Sequence, residues 1–171
     1  MSDPQPREIH HICYAVHDLD EAIPRYAEAL NKTFRPIEVL HIEHVEQPLY
    51  GREEPHAIDR RLSYSLEGPP YVELIELVTE PNDFASNTQA EGLHHIGMFA
   101  TDNEAWRQQL KSTGVRTEMR CLDADGDKTV FWMTAPGDLY GSRVEFLDDS
   151  LRGELAEWVK LGRELDTWQH T

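Results

Sequence analysis

The segment Ile9–Val16, with the sequence IHHICYAV, decides the fold because a closely similar segment, LHHIGMFA, occupies residues 93–100. An aspartate follows each copy, Asp18 or Asp102, and a stretch with helical periodicity comes next. Copies this far apart in the chain indicate a repeated module rather than a short repeat unit. We therefore expect two similar halves that face each other. One histidine of each pair should point into the space between them.

The composition is that of a soluble protein with a strongly acidic surface. The chain has 171 residues, 39% hydrophobic content and a formal net charge of −16. It contains no apolar run of the roughly 20 residues needed to cross a bilayer, and its N-terminus lacks the apolar core of a signal peptide, so we expect a cytoplasmic location. The charge disfavours nucleic acid and membranes as partners and favours a small molecule or a second copy of the chain. Cys13 and Cys121 are expected to be reduced thiols.

Hydrophobic periodicity predicts the order β-α-β-β-β in each half. The first half has strands at 9–16, 34–45, 58–66 and 71–78, with a helix from the capping sequence at Asp18 to about Leu30 and a loop at 46–55. The second half has strands at 93–100, 115–121, 128–134 and 142–147, with a helix at 103–112. We expect one domain over residues 1–171, with module one at 9–78, a linker at 79–92, module two at 93–148 and a C-terminal amphipathic helix at 151–168.

The turn at 123–127, with the sequence DADGD, is expected to be an acidic hairpin turn. It resembles the start of an EF-hand calcium loop, but Gly126 stands fourth rather than sixth, and the twelfth position is Thr134 rather than a glutamate.

Two histidine pairs and two glutamates are candidates for a metal site. Residues i and i+2 share a face of a strand, so each pair places one ring on either face of its strand. The last strand of each half also carries a carboxylate among apolar residues, Glu73 in the first half and Glu145 in the second. A carboxylate on a buried strand is costly unless it is paired or binds a metal. Either glutamate alone could face water at a sheet edge, but the recurrence of the pattern favours a shared function.

This donor set suits a divalent cation. Two neutral imidazoles and two carboxylates balance the charge of one such ion. Mixed nitrogen and oxygen ligands are compatible with Zn, Ni, Co, Mn or Fe(II). Four ligands in an octahedral field leave two positions for water or substrate.

The sequence resembles the vicinal oxygen chelate superfamily, which has the glyoxalase/bleomycin resistance/dioxygenase fold. It is most similar to the branch that includes glyoxalase I and methylmalonyl-CoA epimerase. The resemblance rests on four segments in the same order along the chain, at residues 11–22, 72–76, 91–96 and 144–146. It implies an α+β fold in which two βαβββ modules pair as half-barrels around a metal cleft, and often a homodimer.

The resemblance also selects among the candidate ligands. In that superfamily the ligand histidine directly precedes Ile or Val, which implies His11 and His95 rather than His10 and His94. The position of Glu73 at the start of a Glu-Leu-Ile segment selects it over Glu76. The fourth ligand is then Glu145.

The resemblance does not place every functional residue. The epimerase branch has a second catalytic glutamate on an early strand of the first half, and Asp59, Arg60 and Arg61 fall near its expected position. Glu43 and Glu46 lie nearby, but their expected role is solvated surface charge.

The resulting functional expectation is a divalent-metal-dependent isomerase, epimerase or lyase with a small-molecule carbonyl substrate. A metal with two open positions can chelate two adjacent oxygens and stabilise an enediolate formed by proton loss. Glu145 is the candidate catalytic base if it detaches from the metal, and a second residue is the alternative. Arg60, Arg61 and Arg143 are candidates to hold a substrate carboxylate or phosphate.

Two alternatives stay open. One is a protein that binds and sequesters a small molecule such as an antibiotic; those relatives usually lack the full ligand set. The other is an Fe(II) extradiol dioxygenase, which uses two histidines and one glutamate, so that Glu73 counts against it.

Overall fold

The computed structural model describes residues 8–77 and 90–161. Within these residues the elements are β1 (Ile9–Val16), α1 (Leu19–Leu30), β2 (Glu38–Gln47), β3 (Arg52–Tyr64), β4 (Tyr71–Glu76), β5 (Gly92–Ala100), α2 (Asn103–Ser112), β6 (Thr117–Leu122), β7 (Thr129–Thr134), β8 (Val144–Asp148) and α3 (Arg152–Leu161). The predicted α+β fold, with the order β-α-β-β-β in both halves and a C-terminal helix, is confirmed. No helix in this part of the chain is both long and apolar enough to cross a bilayer.

The aspartate that follows each repeated strand starts the next helix. Asp18 Oδ1 accepts a hydrogen bond from the backbone N–H of Glu21 at 3.0 Å, and Asp102 Oδ1 accepts one from Ala105 at 2.9 Å. Such caps satisfy backbone donors that have no partner within the helix, and each contributes about 1 kcal/mol. The repeat therefore fixes where each strand ends and where each helix begins.

The eight strands close into a barrel in the order β1-β4-β3-β2-β6-β7-β8-β5. Within each half the first strand runs parallel to the last, so that β1 lies beside β4 and β5 lies beside β8. The halves meet where β1 pairs antiparallel with β5, and again where Val45 and Glu46 of β2 pair with β6. Ile12 opposes Ile96, its equivalent in the repeat. The β1–β5 seam therefore has local twofold symmetry.

The three helices have different positions relative to the barrel. Helix α1 packs Leu19 and Ala22 against the outward side chains of β4, and α2 packs Trp106 against the outer face of β8. Helix α3 instead packs its apolar face onto the barrel interior, in one cluster with the inward side chains of both halves. Its buried residues are Leu155, Trp158 and Val159, and Leu151 of the preceding 3₁₀ turn belongs to the same cluster. One side of the barrel interior is thus covered by the C-terminal helix.

The prediction of a loop at residues 46–55 is wrong. Strand β2 continues to Gln47, a single 3₁₀ turn at Pro48–Tyr50 follows, and β3 begins at Arg52. Gly51 has a φ of +71°, which suits glycine at this tight turn. The local sequence is charged and contains prolines, but Val45 and Glu46 pair with the other half of the barrel. The pattern of the local sequence cannot predict this pairing with a distant strand.

Other boundaries shift by a few residues. The strand predicted at 34–45 begins only at Glu38, although Phe34 forms an isolated bridge with Ser65. The sequence at 123–127 is a turn between β6 and β7, where Asp123 Oδ1 accepts backbone hydrogen bonds from Asp127 and Lys128. Most of the predicted linker, at 79–89, and residues 162–168 of the predicted terminal helix lie outside the described residues.

Candidate metal centre

The four predicted ligand residues converge inside the barrel. His11 Nε2 and His95 Nε2 are 2.9 Å apart. Glu73 Oε2 lies 3.4 Å from His11 Nε2 and 3.2 Å from His95 Nε2. Glu145 Oε2 lies 3.2 Å and 3.6 Å from the same two nitrogens. His11 and His95 are 1% and 2% exposed, and the glutamates are each 7% exposed.

Strand pairing explains this convergence. His11 and His95 lie on β1 and β5, the two strands that pair across the seam between the halves. Cys13 of β1 stands beside both His95 and Glu73, and Gly97 of β5 stands beside both His11 and Glu145. Each half therefore supplies one imidazole and one carboxylate, and a small residue lies between the donors of opposite halves.

Donor atoms of His11, Glu73 and His95 all lie within 4.8 Å of one another, as the ligands of a single divalent cation must, and Glu145 approaches this group through the two histidines. Donors bound to one ion at about 2.0–2.2 Å are roughly 3 Å apart when they are neighbours around it. The observed separations of 2.9–3.6 Å match this spacing. Buried carboxylates are costly without positive charge nearby, which a cation would supply. That His11, Glu73, His95 and Glu145 bind a metal stays a prediction.

A second group of possible donors, Cys13, His94 and His95, also lies close together. It shares His95 with the first group, so it is not an independent site. Burial, followed by the charge of Glu73, raises the pKa of Cys13 well above its usual value, which keeps this thiol protonated. A protonated thiol is a poor metal ligand. The group that contains His11, Glu73 and His95 is therefore the better candidate.

His10 and His94 support the two candidate ligands. Simple alternation places them on the rear faces of their strands, and this expectation is wrong. The register between β1 and β5 shifts at each of these histidines, and such a bulge redirects the side chain of the unpaired residue. His10 Nδ1 lies 2.9 Å from His11 Nδ1, and His94 Nδ1 lies 2.7 Å from His95 Nδ1. A hydrogen bond at the second ring nitrogen orients a metal-binding histidine and fixes its tautomer.

The electrostatics of the cluster keep both carboxylates ionised. Burial opposes ionisation of Glu73, but its hydrogen bond with His95 and the charge of His11 outweigh burial and hold its pKa at about 2. The pKa of Glu145 is lowered in the same way, against burial, by His95 and His11. Burial, together with His11, lowers the pKa of His10 to about 3, so its ring is neutral. Ionised carboxylates are the form that binds metals.

A small cavity of about 40 Å³ borders Glu73 and Glu145. Its other polar lining residues are Arg60 and Tyr64, and the rest of the lining is apolar, including Leu155 and Trp158 of α3. A larger surface cleft of about 660 Å³ lies beside the N-terminus of α2 and shares no lining residue with this cavity. We assign the chemistry to the smaller cavity because the candidate ligands border it.

The residues near the expected second catalytic glutamate point in different directions. Asp59 is exposed and bonds to His41 Nδ1 at 2.6 Å, and Arg61 pairs with Glu76 on the outer face of the sheet. Of the three candidates in 59–61, only Arg60 lines the cavity.

The other acidic candidates also lie away from the cavity. Glu46 pairs with Arg120 at 2.5 Å, and Glu43 is exposed. Among the described residues, the only carboxylates that line the cavity are therefore the two candidate metal ligands.

Comparison with known proteins identifies one matching protein family and several solved structures with a similar fold. Residues 10–131 match the family model for the Glyoxalase/Bleomycin resistance protein/Dioxygenase superfamily. A comparison with curated proteins gave no match.

Three solved structures with a similar fold illustrate the likeness. A hypothetical protein from Bacillus halodurans C-125 aligns with a TM-score of 0.57 and 21% identity, over 85% of this chain and 96% of that one. Methylmalonyl-CoA epimerase from Mycobacterium tuberculosis gives 0.57 and 20%, over 90% and 97%. A variant of Streptomyces coelicolor methylmalonyl-CoA epimerase, in complex with 2-nitronate-propionyl-CoA, gives 0.52 and 23%, over 82% and 93%. At these identities the likeness establishes the fold.

Proposed function

Since this chain belongs to the Glyoxalase/Bleomycin resistance protein/Dioxygenase superfamily, we propose that it is a divalent-metal-dependent isomerase, epimerase or lyase that acts on a small carbonyl compound. The observation that carries the proposal is the convergence of His11, Glu73, His95 and Glu145 in a buried site. These residues would hold the ion. When bound, such an ion polarises a carbonyl oxygen and stabilises the negative charge that develops when a neighbouring carbon loses a proton.

The proton acceptor in this proposal is Glu145. No carboxylate other than Glu73 and Glu145 lines the cavity among the described residues. Burial, followed by the charge of Glu73, raises the pKa of Tyr64 well above its usual value, so its phenol stays protonated and cannot act as the base. Glu145 is ionised because its pKa is lowered. It would take the proton onto a carboxylate oxygen and return it to the neighbouring carbon or to the opposite face of the same carbon.

The two alternatives are less well supported. An extradiol dioxygenase has a non-ligand at the position of Glu73, whereas here Glu73 Oε2 lies within 3.4 Å of both candidate histidines. A protein that sequesters antibiotics usually lacks the full ligand set, whereas His11, Glu73, His95 and Glu145 are all present here. Both observations favour the isomerase, epimerase or lyase.

Metal analysis of protein purified without chelators tests the site. We expect close to one divalent ion per chain for the wild type, and a large loss of metal in His95→Ala because it removes a donor. His17→Ala removes an exposed histidine outside the site and should keep the metal. A wild-type protein that carries no metal and takes up none at micromolar concentrations would contradict the proposal.

The role of Glu145 is tested by deuterium exchange in D₂O. Exchange at the carbon next to the carbonyl is followed by NMR in a panel of 2-hydroxy ketones and 2-hydroxy aldehydes. General-base catalysis contributes roughly 10²- to 10⁴-fold, so Glu145→Gln should slow exchange by that factor. If Glu145→Gln retains its metal and exchanges at the wild-type rate, Glu145 is not the base.

A further inference from the structure

We propose that Tyr64 and Cys13 are positioning residues that hold Glu73 as a fixed ligand, so that Glu145 is the carboxylate that leaves the ion to take the substrate proton. The inference rests on the proposed function, because it assigns unequal roles to the two glutamates of the same site. It follows from the side chains that flank each glutamate, which differ between the two halves of the barrel.

Glu73 lies between two side chains that can donate hydrogen bonds. It is the register partner of Cys13 on β1, and on its other side it pairs with Tyr64 on β3. Residues that are directly opposed on neighbouring strands project from the same face of the sheet. Cys13 is fully buried, and Tyr64 is 5% exposed. Water therefore competes little with either side chain for the carboxylate.

Both side chains bond to the Glu73 carboxylate. The Tyr64 hydroxyl and the Cys13 thiol each form a hydrogen bond with it. A phenol and a thiol are ordinarily protonated at neutral pH, so they donate and the carboxylate accepts. Hydrogen bonds of this kind orient a metal-binding carboxylate. Glu73 is thereby held with Oε2 within 3.4 Å of the Nε2 atoms of both His11 and His95.

The residues at the corresponding positions beside Glu145 cannot donate. Its register partner on β5 is Gly97, the counterpart of Cys13 in the repeat, and its partner on β7 is Met133, the counterpart of Tyr64. Glycine has no side chain, and the thioether of methionine accepts hydrogen bonds but has none to donate. The two halves of the barrel therefore support their glutamates differently.

Burial does not distinguish the two glutamates. Each is 7% exposed, and each has an oxygen within 3.6 Å of both histidine nitrogens. The donors beside them do differ. Glu73 would have to give up hydrogen bonds to Tyr64 and Cys13 in order to turn away from an ion, and Glu145 has no such pair to lose. Glu145 is therefore the carboxylate that detaches more readily.

Zinc affinity, measured by competition with a chelator of known affinity, tests the role of Tyr64. Loss of a hydrogen-bond partner of a metal ligand typically costs 10- to 100-fold in affinity. Tyr64→Phe removes the hydroxyl but keeps the ring that packs on Trp158, and it should weaken zinc binding by that factor. Met133→Leu, the matched change beside Glu145, removes no donor and should keep the wild-type affinity. Equal affinity in the wild type and Tyr64→Phe would overturn the role of Tyr64.

A double-mutant cycle separates the positioning of Glu73 from a general effect on the fold. If Tyr64 acts through Glu73, Tyr64→Phe should change zinc affinity little in the Glu73→Ala background. It should keep its full effect in the Glu145→Ala background. The same loss in both backgrounds would mean that the hydroxyl only supports the barrel, and the proposal would be wrong.

The role of Cys13 is tested by two substitutions. Cys13→Ala removes the donor, and Cys13→Ser keeps one on a side chain of similar size. We expect Cys13→Ala to bind zinc at least tenfold more weakly and Cys13→Ser to retain most of the wild-type affinity. Two variants with the same affinity would overturn the role of Cys13. If Tyr64→Phe does not fold, this pair decides the proposal.

The unequal roles also predict unequal losses of metal. Glu73→Ala should bind zinc at least tenfold more weakly than Glu145→Ala, because it removes the fixed ligand. Equal losses in a wild type that does bind zinc would overturn this inference and leave the proposed function standing. A wild type that binds neither zinc nor another divalent ion would overturn both.

Discussion

The two small residues opposite the candidate ligands are as important as the ligands themselves. Gly97 stands across the seam from His11, and Cys13 stands across from His95. A Cβ atom added at Gly97 would overlap the ring of His11, closer than real Cβ contacts occur. The absence of a side chain at this position is what allows the two imidazoles to meet.

Gly97→Ala should therefore impair metal binding. The methyl group must displace the ring of His11, because the neighbouring backbone is fixed by strand pairing on both sides. We expect at least a tenfold loss of metal affinity, measured by competition with a chelator of known affinity. Gly153→Ala is the matched control, because a Cβ there meets nothing within 4 Å. Unchanged affinity in Gly97→Ala would contradict this account of how the ring is positioned.

The sequence predicts which residues are the candidate ligands better than it predicts which side chains lie around them. The repeat narrows the candidates to two histidine doublets and a glutamate-bearing strand in each half. The resemblance to the superfamily then selects His11, Glu73, His95 and Glu145 among them. Their meeting in one place depends on the pairing of β1 with β5, which a repeat suggests and only the fold establishes. The supporting role of His10 and His94 depends on bulges, and alternation along a strand cannot anticipate a bulge.

At the scale of elements, α3 differs from the other two helices. The amphipathic pattern of residues 151–168 predicts a helix but not which surface it covers. In the structure Trp158 packs on Tyr64 with 5.1 Å between ring centroids, and its Nε1–H donates to Glu38 Oε2 at 2.8 Å. The guanidinium of Arg35 lies over the Trp158 ring, 4.8 Å from its centroid. Helix α3 is thus held to the first half while it covers the cavity beside the metal centre.

Trp158→Ala should make the centre more accessible. Loss of a buried tryptophan costs about 3–5 kcal/mol of stability and weakens the contact between α3 and the barrel, so local opening becomes more frequent. We expect release of metal to excess chelator to accelerate at least tenfold, followed by the absorbance of a cobalt-loaded protein. Lys160→Ala, an exposed change in the same helix, should release metal at the wild-type rate. Urea denaturation checks that both variants are folded, and an unchanged rate in a folded Trp158→Ala would show that α3 does not limit access.

At the scale of the whole molecule, the candidate ligands join the two halves. Each half supplies two of the four candidate donors, and among the described residues the strands of the two halves pair along two seams, β1 with β5 and β2 with β6. An ion bound by all four residues is bound by the folded barrel alone, because the unfolded chain does not bring them together. Metal binding should therefore stabilise the entire barrel rather than one module.

Removal of the metal should lower the melting temperature. An ion at 100 times its dissociation constant stabilises by about 2.7 kcal/mol, which for a domain of this size is roughly 5–10 °C. The measurement is thermal unfolding with a saturating divalent metal and again with excess chelator. His95→Ala should show little difference between the two conditions. A wild type with the same melting temperature in both would show that the ion does not connect the halves.

The unlike walls of this nearly symmetric barrel have a stereochemical consequence. If the two halves were identical, a molecule bound on the local twofold axis near Ile12 and Ile96 could be rotated by 180° about that axis and would contact the same side chains. Tyr64 beside Glu73 in one half, and Met133 beside Glu145 in the other, remove that degeneracy. An asymmetric ligand then has a single preferred orientation, its two oxygens are no longer interchangeable, and one hydrogen of a prochiral pair is presented to the base.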